Sequence, residues 1–210
     1  MKEWDTIHKE KWSNVNEEPD PEVVKLIPIL MRNGARDVLD LGSGAGRNTL
    51  YLAKNGFNVS ALDISEVALE RLKEKDSSIE RVHGGMNSVP LDDSSLDFVL
   101  CTRVIQHGIM QEIRTAANEI KRVLRPGGLV FIIVPSTKDP AFSTGREIEK
   151  NTKVDIDRPD GNMPHHFFTR EDFDDIFPDF EIVALTERDR ISTFNENRPT
   201  CSWDFLGRKK

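Results

Sequence analysis

Only two cysteines, Cys101 and Cys201, occur in 210 residues. A small secreted scaffold carries several paired cysteines, so a multi-disulfide framework is excluded and reduced thiols in a cytoplasmic setting are expected. Long apolar runs are missing as well. The longest aliphatic run, residues 129–134, is far short of the ~20 residues that a membrane-spanning helix needs. The start of the chain, Met1-Lys2-Glu3-Trp4-Asp5, has no apolar leader core. Positive charge is not in excess: 29 Lys+Arg stand against 36 Asp+Glu, a formal net charge of −7. That balance argues against a surface built to grip nucleic acid. No internal repeat is visible. What remains is a globular composition, 37% hydrophobic and 31% charged, in a chain long enough for one domain with its own core.

Hydrophobic periodicity then organises the chain. Trp4, His8 and Trp12 recur at four-residue spacing, one face of a short helix. Asp20-Pro21 is a cap followed by proline at the first helical position, and Asn33-Gly34 ends that second helix. Residues 1–34 therefore read as an N-terminal helical segment. From residue 37 strands and helices alternate. Strands are predicted at 37–41, 58–63, 80–83, 96–101 and 129–134. Helices are predicted from 47 to 55, after the Ser65 cap, and over 113–124. This alternation predicts an α/β doubly wound, mostly parallel sheet with helices on both faces. Residues 136–168 show no clear period and mix both charge signs, which is read as a cap over the ligand edge of the sheet, a plain surface excursion being the alternative. A capping box at Thr169–Asp172 and two late strands, at 181–186 and 201–206, complete the chain.

The most informative stretch is Asp40-Leu41-Gly42-Ser43-Gly44-Ala45-Gly46, between a strand and a helix. Glycines there allow a sharp turn and let a ligand touch backbone. Asp63 ends the next strand, where a carboxylate can accept hydrogen bonds from both hydroxyls of a ribose. Glycine loop and strand-end acid together are a nucleoside-binding signal. The dinucleotide fingerprint G-x-G-x-x-G/A needs a small residue at position 47, which is Arg47 here. The actual G-x-G-x-G pattern disfavours a pyrophosphate on the helix N-terminus and suits a nucleoside without phosphates.

Residues 38–65, VLDLGSGAGRNTLYLAKNGFNVSALDIS, resemble the first motif of class I S-adenosylmethionine-dependent methyltransferases, and GRNTLYLA is most similar to their tellurite-resistance and thiopurine group. VPLDDSSLDFVL, IKRVLRPGGLVFIIV and the later HFFT resemble the small-molecule type 11 group, so that the likeness covers roughly residues 37–206. The resemblance implies a seven-stranded Rossmann-like sheet ending in an antiparallel hairpin, and S-adenosyl-L-methionine as cofactor. It implies that the loop Gly42, Ser43, Gly44 and Gly46 lies under the methionine part, that Asp63 holds the ribose and that Ile64 packs on adenine. It places Met86 and Asn87 at the adenine edge, where Gly85 replaces the acid of many members, and Cys101 and Thr102 near the amino group. Trp12 corresponds to an aromatic that closes over the cofactor. Asp40, just ahead of the glycine loop, is read by its position as bonding either the loop or the cofactor.

Methyl transfer from a sulfonium is a direct displacement that asks mainly for alignment and exclusion of water. A base is needed only for a protonated acceptor. His107 and His166 are the candidates for a base or for orienting the acceptor, with His165 weighed beside them, the competing reading for each being a packing or capping histidine. No metal is expected: Asp155, Asp157 and Asp160 read as solvated loop acids, and His165-His166 has no partner at a recognisable zinc spacing. The expected partner is a small-molecule acceptor, with no membrane, and nucleic acid is disfavoured. Two other classes remain open: a cofactor-binding regulatory protein without transferase activity, and an NAD-dependent oxidoreductase.

Overall fold

The structure, a computed structural model, describes residues 2–12, 17–191 and 198–210. Part of the polar stretch predicted between the last two strands, residues 192–197, lies outside the described residues.

The N-terminal segment forms α1 (Lys2–Thr6), a π-helical turn (Ile7–Lys11) and α2 (Pro21–Arg32). The predicted Trp4–Trp12 helix is thus broken into two turns, yet the three rings still share a side: His8 and Trp12 centroids are 5.2 Å apart, and Trp4 and Trp12 5.8 Å. Asp20 caps α2 through the Glu22 N–H, and Gly34 beyond its end takes φ 68°.

The alternation follows as β1 (Asp37–Leu41), α3 (Arg47–Lys54), β2 (Asn58–Asp63), α4 (Glu66–Lys75), β3 (Glu80–His83), β4 (Leu96–Thr102), α5 (Met110–Val123) and β5 (Leu124–Pro135). Ser65 caps α4 by accepting from the Ala68 N–H. A 3₁₀ turn (Pro140–Ser143) and three short strands come next, β6 (Arg146–Glu149), β7 (Thr152–Val154) and β8 (His165–His166). The chain closes with α6 (Arg170–Ile176), β9 (Phe180–Ile191) and β10 (Pro199–Lys209). The last two strands are longer than their sequence pattern suggests. Their antiparallel partner supplies hydrogen bonds where apolar alternation has already stopped, as in Cys201↔Asp189.

The main sheet has the order β3-β2-β1-β4-β5-β10-β9. The first five strands pair in parallel, and β10 runs antiparallel to β5 and β9. Side chains alternate across it. On β5, Val130, Ile132 and Val134 face the cluster built with α5, Phe173 and Phe205, while Leu129, Phe131 and Ile133 face the cluster built with Leu26 and Leu30 of α2 and Leu52 of α3. Burial on both faces explains why this strand reads as a continuous apolar run. Strand order reverses at β1, between β2 and β4, and the carboxyl ends of such strands form the crevice where open α/β sheets bind ligands. No helix of the described residues is long and apolar enough to cross a membrane.

Candidate active site

A cavity of about 510 Å³ opens at that crevice. Its floor is the β1–α3 loop. The N–H groups of Gly42 and Ser43 both donate to the Leu62 carbonyl, at 2.8 and 3.0 Å, which pins the loop to the end of β2. Two of its glycines are packing requirements. A Cβ on Gly42 would lie 2.1 Å from Val104 Cγ2, and one on Gly46 2.3 Å from Leu72 Cδ1. Gly46 therefore does the close helix packing that a dinucleotide fingerprint assigns one residue later. Position 47 is left free for an arginine, whose guanidinium lies 3.6 Å from Asp20.

Asp63 sits beside this loop. Its Oδ2 accepts the Gly44 N–H at 2.7 Å and its Oδ1 the Ser65 N–H at 2.8 Å. Burial raises its pKa against these hydrogen bonds. A carboxylate offers about four acceptor positions, so both oxygens keep capacity for further donors. Asp63 lines the cavity together with Trp12, Gly42, Ser43, Gly44, Ile64, Met86, Asn87 and Thr102. Thr102 is steadied by the Asn48 amide at 3.3 Å.

Asp40 and Gly46 lie beneath the cavity rather than in its wall. Asp40 is fully buried; its Oδ2 accepts the Thr49 hydroxyl at 2.6 Å, and its Oδ1 has no hydrogen-bond partner. Burial pushes its pKa up to about 6. Cys101 is likewise inside the sheet, its thiol pushed by burial up to about 12, as expected of a packing residue.

The two candidate histidines separate. His107 lines the cavity, edge-on to the Trp4 ring at 4.9 Å. Burial, helped by His165, lowers its pKa to about 3 and keeps it neutral. His166 does not reach the cavity. It is buried behind β8, with Nδ1 2.8 Å from the Thr152 hydroxyl and Nε2 3.5 Å from Asp172, and it ties β7 and α6 together. Its neighbour His165 lines the cavity instead, because successive residues of a strand point to opposite sides.

Several wall residues carry no sequence signal. Arg103 takes a left-handed conformation, φ 59°, directly after β4, and its guanidinium pairs with Asp20 at 3.1 Å. Asp139, Arg158, Asp160 and Phe167 enter from the 136–168 segment. Asp160 is buried, not solvated as its acidic surroundings suggest. Burial acts to raise its pKa, but the imidazoles of His165 and His107 outweigh that and hold it below the usual carboxylate range.

This topology, with its loop-and-acid crevice, is a Rossmann-like doubly wound fold. Residues 39–132, a little under half of the chain, match the family described as "Methyltransferase domain". A curated relative from Mycolicibacterium smegmatis, named "Probable S-adenosylmethionine-dependent methyltransferase", is 32% identical over 120 residues, which is 57% of this chain and 45% of that protein. The chain matches less than half the length of the curated relatives first found, 45% to 49% of each. Among solved structures, a Methanosarcina mazei S-adenosylmethionine-dependent methyltransferase superposes with a TM-score of 0.74 at 20% identity, covering 87% of this chain and 97% of the other. The 1,6-didemethyltoxoflavin-N1-methyltransferase of Burkholderia thailandensis, crystallised with its substrate and S-adenosylhomocysteine, superposes with a TM-score of 0.69 at 18% identity, covering 98% and 84%.

Proposed function

We propose that this chain transfers a methyl group from S-adenosylmethionine to a small-molecule acceptor by direct displacement. The observation that carries the reading is one cavity with two unlike walls: the glycine loop and Asp63 on one side, and residues of the 136–168 segment on the other. The cofactor, when bound, supplies a methyl group already activated on a sulfonium.

The chain's own residues do the rest. Asp63 has spare acceptor capacity for ribose hydroxyls, and Ile64 offers an apolar side chain for a base. Gly85 faces Ile64, and a Cβ there would meet only Ile64 Cδ1, at 3.7 Å; the missing acid leaves space rather than a clash. Trp4, His8 and Trp12 close the N-terminal side, and Arg71 fastens them by donating to the backbone oxygens of His8 and Trp12 at 2.8 and 3.2 Å. The 136–168 segment is the substrate cap: it roofs the acceptor end, excludes water and narrows the choice of acceptor. His107, neutral and facing the cap, orients the acceptor. A cavity of this volume, roofed by a buried turn, suits a metabolite rather than a protein or RNA chain. That the Burkholderia enzyme binds a small heterocycle in the same fold supports the choice.

The test is incubation with methyl-labelled S-adenosylmethionine and a panel of phenols, amines, thiols and carboxylic acids. Label should pass to one acceptor class with release of S-adenosylhomocysteine. Binding of S-adenosylhomocysteine with no turnover on any acceptor would instead favour a cofactor-binding regulatory protein.

A further inference from the structure

His107, Asp160 and His165 meet at the cap side of the cavity. His165 Nε2 lies 3.5 Å and His107 Nε2 3.8 Å from Asp160 Oδ2, and the two imidazole centroids are 4.5 Å apart. One donor atom from each of the three falls within 4.8 Å of the others. Asp160 and His165 lie five residues apart on the 136–168 segment, but His107 comes from the chain after β4, so sequence spacing does not announce the group of three.

The chemistry of the group is specific. His165 Nδ1 is 2.9 Å from the Met163 carbonyl, which can only accept, so that nitrogen carries the proton. The Nε2 of neutral His165 is then a bare lone pair aimed at a carboxylate. His107 Nε2 is 3.0 Å from the Gln106 side-chain amide, which marks it too as an acceptor. Three electron-pair donors therefore converge in a buried place, and the nearby cation Arg158 is paired with Asp139 at 2.6 Å. Lone pairs in that arrangement repel one another unless a positive charge sits among them. A cation held by all three would meet each of them with its positive charge.

We propose that His107, Asp160 and His165 bind a divalent first-row cation of the zinc class, with its remaining positions open to the cavity. Two imidazoles and a carboxylate are the donor set such ions prefer. Bonds of ~2.0–2.2 Å in a tetrahedral arrangement place neighbouring donors about 3.4 Å apart. The two separations from Asp160, 3.5 and 3.8 Å, need only a small contraction to meet that, while the two histidine nitrogens lie within 4.8 Å of each other. The hydrogen bond from His165 Nδ1 to a backbone carbonyl is the outer contact that fixes a ligating histidine's tautomer and ring plane. Asp160 is presented by a tight turn: Ile156 N–H donates to the Gly161 carbonyl at 3.1 Å, and Gly161 N–H to the Arg158 carbonyl at 3.0 Å.

The open positions face the space assigned above to the acceptor. In that role, which rests on the methyltransferase reading, the cation would hold an acceptor oxygen and favour its deprotonated form. Binding of the cation itself does not depend on that reading.

The experiment is metal binding by the full chain, freed of any histidine tag and stripped with chelator. Zn²⁺ is titrated in competition with a chromogenic chelator, and Co²⁺ is followed by its visible absorption. One equivalent should bind, with a Co²⁺ spectrum of low coordination number. Asp160→Asn and His165→Gln should each weaken binding by about 100-fold or more, since each removes a ligand and not merely an outer contact, whose loss alone costs about 10–100-fold. The S-adenosylhomocysteine thermal shift is measured on the same samples. Absence of a bound equivalent in the wild-type chain, or equal affinity in both folded variants, overturns the proposal. If the thermal shift persists while no metal binds, the cation site fails and the methyltransferase reading stands. Metal binding without the thermal shift is the converse.

Discussion

Asp40 should make the protein less stable at neutral pH than at pH 4, and Asp40→Asn should abolish that loss. The carboxyl is fully buried, one oxygen bonded to Thr49 and the other without a hydrogen-bond partner, and burial pushes its pKa from 3.8 up to about 6. In the unfolded chain it ionises near its ordinary value. Between about pH 4 and pH 6 the native state therefore holds more protons than the unfolded state, and stability falls as pH rises through that window. A shift of roughly two units corresponds to about 3 kcal/mol, at ~1.4 kcal/mol per unit. Asparagine keeps an acceptor for Thr49 and removes the ionisation, but it leaves an amide N–H₂ where the orphaned oxygen was, at about 1–3 kcal/mol. The net gain at pH 7 is accordingly about 0–2 kcal/mol. The pH dependence is the cleaner readout. Urea denaturation from pH 4 to 7.5 should give a wild-type minus variant difference that changes by about 3 kcal/mol, nearly all of it below pH 6.5. Asp63, also raised by burial, contributes a slope of the same sign to both proteins and largely cancels. A flat difference curve would refute the reasoning.

Three further outcomes follow from the same geometry. Gly42→Ala should cost about 2–5 kcal/mol, the sum of a left-handed alanine and a 2.1 Å approach to Val104; adding Val104→Ala should recover only the packing part, and full additivity in denaturation would contradict the contact. Asp63→Ala should weaken S-adenosylhomocysteine binding by about tenfold or more, the worth of one charged hydrogen-bonding group, as read by calorimetry; unchanged affinity would remove Asp63 from the site. Cys101 should resist alkylation at pH 8 in the native chain, because burial inside the sheet pushes its thiol up to about 12; labelling of Cys101 at the rate of a free thiol would show that the sheet opens.

The parallel core was legible because its signals are local and redundant. β1 and β2 carry apolar residues bounded by glycine or acid, and α2 has a cap, a proline and a terminal glycine in their places. The glycine loop was legible because left-handed backbone and tight packing both demand glycine at fixed spacing. The cap was not. β6, β7 and β8 span two to four residues each, too few to display alternation. The same brevity hid which of the paired histidines faces inward: His166 was the candidate by sequence, whereas His165 occupies the cavity wall. Asp160 looked solvated because its burial is supplied by His107 and His165, neither of them a sequence neighbour on a common element. Arg103 adopts its left-handed turn under tertiary constraint, and no residue preference announces it.

The central claim is that the crevice at β1, β2 and β4 is an S-adenosylmethionine site. Its most direct test is the melting temperature with S-adenosylhomocysteine and, in parallel, with NAD. At about 100 times the dissociation constant a ligand adds about 2.7 kcal/mol. For a domain of this size that is on the order of 5–10 °C. The account predicts this rise with S-adenosylhomocysteine and none with NAD. A rise with NAD alone would contradict it and make Arg47 no bar to a dinucleotide.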